Sequence, residues 1–281
     1  GAITSDAATV EAAALKTVSS TITLSGATNV SLPALTSVTG AFSAASAVTF
    51  SAPVLAATNS VTLAAATSVE IASISDANLV TTNKVKTLTI GALATAFDAS
   101  AHVELTSVNI TGKTGATNSF TIGSANVDLA SASFAGELKS VSITGAGTTS
   151  DKLTSVSTTG SIDSFTLDNS DVITSIDLGH SHISGGTGTD VVITNNAKLA
   201  SLTTSTDYLK TLTVTGNAKL ASLDASSYSN VISNATQTAT ITIKSNDLVG
   251  AYVKGVAATA TTALQEAVIK SDDLLTLKSY V

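Results

Sequence analysis

Asn196-Ala197-Lys198-Leu199-Ala200-Ser201-Leu202 recurs unchanged, 21 residues later, as Asn217-Ala218-Lys219-Leu220-Ala221-Ser222-Leu223. A verbatim repeat at that period belongs to stacked architectures, where one repeat is one coil and buries its apolar face only against its neighbours. The end of this heptapeptide is related to a shorter phrase, Leu-(Lys/Thr)-(Ser/Thr)-(Val/Leu), found along the whole chain. Copies are Leu15-Lys16-Thr17-Val18, Leu35-Thr36-Ser37-Val38, Val85-Lys86-Thr87-Leu88 and Leu105-Thr106-Ser107-Val108. Others are Leu138-Lys139-Ser140-Val141, Leu153-Thr154-Ser155-Val156, Ile173-Thr174-Ser175-Ile176 and Leu209-Lys210-Thr211-Leu212. Positions 15 and 35, 85 and 105, and 153 and 173 are each 20 apart.

Between these copies run short alternating stretches such as Thr21-Ile22-Thr23-Leu24, Val61-Thr62-Leu63, Phe120-Thr121-Ile122 and Phe165-Thr166-Leu167. Period-two alternation with β-branched residues is the pattern of a half-buried strand. Turn pairs such as Ser25-Gly26, Thr111-Gly112 and Thr215-Gly216-Asn217 follow, because Gly and Asn tolerate the left-handed backbone of a tight corner. The pattern predicts an all-β, parallel β-solenoid with coils of about 20 residues. It should hold about ten to twelve coils rising roughly 4.8 Å each, a rod of about 50 Å. Leu35, Val38, Leu105, Val108, Leu153, Val156, Leu199, Leu202, Leu220 and Leu223 should line the interior. Asn196 and Asn217 should stack at a corner and bond backbone groups that a turn leaves unpaired.

Spacing loosens in the middle, where the step from Leu105 to Leu138 is well over one period and that from Leu138 to Leu153 well under it. Residues 179–188, rich in Gly, read as an inserted loop. With Pro33 and Pro53 the only prolines, no Pro-rich linker divides the chain, so residues 1–281 are read as one domain. Its ends break the repeat. Residues 1–15 and 259–281 are read as caps or contact segments. Residues 5–14 are alanine-rich with Ser5 as an N-cap, and Thr262-Ala263-Leu264-Gln265 fits a capping box, so short helices are expected at both ends. The apolar tail Leu274-Leu275-Thr276-Leu277-Lys278-Ser279-Tyr280-Val281 reads as an edge strand that either folds back onto its own last coil or docks on the next subunit, with docking the favoured reading.

Composition narrows the function. Apolar residues make up 43% of the chain but aromatics only 4%, which suits narrow coils better than a bulky globular core. Charged residues are 12%, about half the ordinary share, and all 13 basic residues are lysine. Cys, Met and Trp are absent as well as Arg, a composition expected of an exported protein made in bulk. The start Gly1-Ala2-Ile3-Thr4 fits processing of a precursor. A net charge of −7 argues against a nucleic-acid partner, and no apolar run approaches a transmembrane segment.

Leu32-Pro33-Ala34-Leu35-Thr36-Ser37-Val38-Thr39-Gly40 and the segment from Leu212 to Leu223 resemble the receptor L-domain-like branch of leucine-rich β-solenoids. Members occur in fungal cell-wall and bacterial surface proteins. The resemblance implies a right-handed β-solenoid and an extracellular or cell-surface location. It transfers no functional residue.

Chemistry-bearing groups are few. His180-Ser181-His182, with Asp177 and Asp190 near in sequence, is the pattern of a Zn or Cu site, weighed against a plain solvated loop. Asp163, Asp168, Asp171, Asp177 and Asp272-Asp273 are corner acids of the kind that bind calcium, the one cofactor the acids suggest. His102 is read as solvated. No nucleophile elbow, phosphate loop or cysteine nucleophile is present, and no catalytic, cofactor-binding or metal residue is assigned; the chain is read as no enzyme. The expected function is an exported structural protein that joins head-to-tail with itself into a filament, sheath or surface layer. The alternative is an adhesin or carbohydrate-binding wall protein whose glycan contacts would fall among Tyr208, Tyr228, Tyr252 and Tyr280. A third reading is ice binding through Thr211-Leu212-Thr213 and Thr240-Ile241-Thr242.

Overall fold

The computed structural model describes the chain apart from residues 82–83, 113–117, 146, 148–150, 180–188, 205–207, 226–229, 232–239, 245–249, 254–267, 272–276 and 279–281. It is an all-β solenoid whose strands pair in parallel, with about 21 residues per turn and no α-helix among the described residues. One sheet of 13 strands runs from Thr9–Glu11 to Leu277–Lys278. Neighbouring strands of this sheet stand one coil apart, a step of about 4.8 Å. A second side is formed by a five-stranded sheet over the N-terminal coils, from Ile3–Ser5 to Leu79–Thr81. From Phe97–Asp98 onward a nine-stranded sheet takes over. A two-stranded sheet, Thr17–Val18 with Ser37–Val38, makes a third side in the first coils.

Why the middle looked irregular is now plain. The repeated phrase marks an entry into a strand, not one fixed side of the coil. Leu15 and Leu35 open the two-stranded sheet, and Val85, Leu105, Leu153 and Ile173 open the long sheet. Leu138 and Leu209 lie in the nine-stranded sheet. The long sheet itself stays continuous while its coils lengthen. Ser107 pairs with Ser131 and Ser131 with Ser155, a wider circuit than the one that links Thr9, Asn29 and Thr49.

Each letter of the phrase has a physical task. The leading Leu and closing Val point inward, and all ten residues named for the interior are at most 7% exposed. A Thr at the second place turns outward and its hydroxyl donates to a carbonyl one coil back, as Thr36 Oγ1 does to Lys16 O at 2.8 Å and Thr106 Oγ1 to Lys86 O at 2.9 Å. Where Lys stands there, the backbone amide alone makes the link, as in Lys86 N to Thr67 O at 2.8 Å. The third residue faces out on the sheet. Inside, all six phenylalanines are at most 1% exposed. Phe97 and Phe120 stack with centroids 5.6 Å apart, and Phe120 meets Phe134 at 5.8 Å. Buried aromatic pairs of this kind add stability beyond their area.

Both ends depart from expectation. Residues 5–14 are not helical: Ile3–Ser5 and Thr9–Glu11 are strands paired with Ile22–Leu24 and Asn29–Ser31. Ser5 does use its hydroxyl as a cap would, accepting from Ala7 N at 3.2 Å, but it closes a local turn. Helix propensity differs among ordinary residues by only a few tenths of a kcal/mol, roughly, and the ladder bonds of a preformed second coil outweigh it. At the other end Val268–Ser271 is a strand on Thr240–Lys244, which corrects the helix expected there, while 259–267 fall outside the described residues. Leu277–Lys278 pairs with Ala251 and Tyr252 of its own chain, so this part of the tail folds back onto its own coil.

Candidate functional site

Stacking in register turns single side chains into columns. On the outer face of the long sheet, one column runs from Thr9 and Asn29 through Thr49, Ser107, Ser131 and Ser155 to Ser222, and every member to that point is Ser, Thr or Asn. A second column, two residues along each strand, carries Glu11, Glu70, Asp177 and Asp224 with Ser, Thr or Asn between them. All of these side chains are exposed or half-buried. The face is therefore a regular oxygen surface with a coil step of about 4.8 Å and a column spacing of about 7 Å. Some hydroxyls are used between coils: Thr49 Oγ1 donates to Asn29 Oδ1 at 2.8 Å and Ser51 Oγ to Glu70 Oε2 at 2.5 Å. Near the N-terminal end this face dips into a shallow groove of about 190 Å³ flanked by Glu11 and Glu70.

The second organised feature is a corner. Asn196 and Asn217 are fully buried and bonded as a ladder. Asn196 Nδ2 and its backbone N both donate to Asn217 Oδ1 at 3.0 Å, Asn217 Nδ2 donates to Ile193 O at 3.0 Å, and Ser170 N donates to Asn196 Oδ1 at 3.0 Å. Asn126 repeats the arrangement, its Nδ2 donating to Ala99 O at 3.1 Å and His102 O at 2.7 Å. The pattern Asn-x-x-Leu at Asn126-Val127-Asp128-Leu129 is the sequence signal that would have found it. The residue before the ladder is left-handed in successive coils, with φ of 59° at Asn169, 56° at Asn195 and 68° at Gly216. Asn is the non-glycine residue best suited to that backbone.

The sequence candidates do not converge. His180 and His182 lie outside the described residues, as do Asp272 and Asp273. Asp190 is held by Lys210 at 3.1 Å and Thr211 at 2.6 Å, Asp163 by Lys139 at 3.1 Å, and Asp168 accepts from Thr194 and Asn195. Among the described residues no three His, Cys, Asp or Glu groups stand together as a metal would require. His102 is not solvated: it is 7% exposed, stacked on Phe97 at 6.2 Å with Nδ1 3.4 Å from Thr81 Oγ1. Of the tyrosines, Tyr208 and Tyr252 have their backbones in strands, while Tyr228 and Tyr280 fall outside the described residues. Thr211 and Thr213 do stand in register with Thr240 and Thr242. No protein-family model, curated protein or solved structure matches the chain. Among the described residues no helix is long and apolar enough to cross a membrane.

Proposed function

We propose that this chain is an exported structural β-solenoid that stacks head-to-tail with copies of itself into an extracellular or cell-surface fibre or layer. The first coil carries the reading. Ile3–Ser5, Thr9–Glu11 and Thr17–Val18 are each the end strand of their sheet among the described residues, so a further coil of the same kind would pair with this one along all three sides. Behind the edges lie Ile3, Val10, Ala12 and Leu15, only partly buried, whereas Ile22, Val30, Leu32 and Leu35 of the next coil are at most 3% exposed. An apolar row flanked by end strands is complementary to another coil of the same kind, and a heterologous contact of that type between copies propagates into an open fibre. The scarcity of charge favours the same outcome.

Val10→Asp tests it by placing a carboxylate in the stacking row. The parent protein should form assemblies that lengthen with concentration by sedimentation and negative-stain microscopy. The variant should keep its β-sheet circular dichroism and lose at least tenfold in assembled fraction. A parent chain that stays monomeric at millimolar concentration would sink the proposal.

A second reading is favoured by the in-register hydroxyl columns. A regular grid of Ser and Thr hydroxyls can order water, which supports an ice-binding role for the long face. Thermal hysteresis in the parent protein that disappears when Ser131 and Ser155 are replaced by Lys supports it; absence of any hysteresis at millimolar protein removes it.

A further inference from the structure

The asparagine corner is interrupted at Ser170, which stands where Asn196 and Asn217 stand in the next two coils. Counting by coils, its positions run from Asn126 through the coil of Asp151 to Ser170, Asn196 and Asn217. Ser170 is fully buried, its backbone N is bonded to Asn196, and its hydroxyl has no hydrogen-bond partner among the described residues. Asn126 and Asp151 are likewise at least nine-tenths buried. Between them the coils leave a small pocket, bordered by Ile122, Asn126, Ile143, Thr144, Asp151 and Ser170, in which about 20 Å³ is open to the centre of a water molecule. One water needs roughly 10–15 Å³ by that measure together with two to four polar partners. Where the amide of a ladder Asn would otherwise tie one coil to the next, the polar rim and the unpaired hydroxyl remain.

We propose that this pocket is a binding site for one structural water, which accepts from or donates to Ser170 Oγ and bridges it to the polar rim of the preceding coils. The water takes the part of the missing amide and makes the corner continuous from Asn126 to Asn217. An apolar pocket of the same size would stay dry; this one carries a hydroxyl that is costly to bury unpaired.

The sign of one substitution separates the possibilities. If the hydroxyl is paired with water, Ser170→Ala removes a partner and should lower the melting temperature by about 2–4 °C. If the hydroxyl is unpaired, the same change relieves a buried polar group, and an unchanged or raised melting temperature overturns the site. Ser170→Asn supplies an amide at the gap and should raise the melting temperature by a similar amount. A crystal structure of the parent protein at about 1.5 Å should show a single peak within hydrogen-bond distance of Ser170 Oγ. Featureless density there, or a peak with the short multiple oxygen contacts of a cation, overturns the assignment.

Discussion

Gly136→Ala should destabilise the centre of the solenoid by about 3 kcal/mol, lowering the melting temperature by on the order of 10 °C. Gly91, Gly112, Gly136 and Gly160 sit one above another, with backbone so close that a Cβ on Gly112 would stand 2.5 Å from Gly91 O. A Cβ on Gly136 would come closer still to Gly112 O, and one on Gly160 closest of all to Gly136 O. The obstacle in each case is a carbonyl of the neighbouring coil, which cannot rotate away without opening the ladder bonds around it. Ser161 N to Gly136 O at 3.0 Å and Gly112 N to Gly91 O at 2.5 Å are the first to go. Calorimetry and urea titration measure the loss. A melting temperature unchanged from that of the parent would show that the coils part more easily than this packing implies.

Asn196→Ala should cost about 3 kcal/mol through a different route, the loss of hydrogen-bond partners. Three buried groups lose them at once: Ser170 N, Leu167 O and, in part, Asn217 Oδ1. Each unsatisfied buried group costs about 1–3 kcal/mol, and nothing in a fully buried corner replaces the amide. Asn217→Ala should behave alike, and the two should not add. Once Asn196 is gone, Asn217 has already lost a donor, so the double variant should fall short of the sum by about 1 kcal/mol. Additive losses in a double-mutant cycle would mean that the two residues cap their own turns independently and form no ladder.

Much of this was readable before the structure. The verbatim repeat named the coil, the inward Leu and Val, and the stacking of Asn196 on Asn217, because a repeated coil forces identical residues into one column. What stayed hidden depended on register. Coils differ in length, from the short circuit that sets Thr49 beside Ser68 to the long one that sets Ser222 beside Gly250, so no single period aligns the whole column from Thr9 to Ser222. The hydroxyl columns and the glycine column appear only once the ladder sets that alignment. The ends were misread because alanine-rich segments carry helix propensity locally, while strand pairing with the neighbouring coil is a long-range effect that sequence windows do not contain. His102 was misjudged for a related reason: Phe97, the ring it stacks on, has no distinguishing pattern around it.

The uneven coil lengths have a further consequence. The long sheet keeps its parallel pairing over the short circuit from Thr49 to Ser68 and over the long one from Ser222 to Gly250, so the ladder does not demand a fixed number of residues per coil. Such a body tolerates length as ornament. Peptides of foreign origin, spliced between two strands of that ladder, would leave the pairing on either side intact, along an axis that does not need to know they are there.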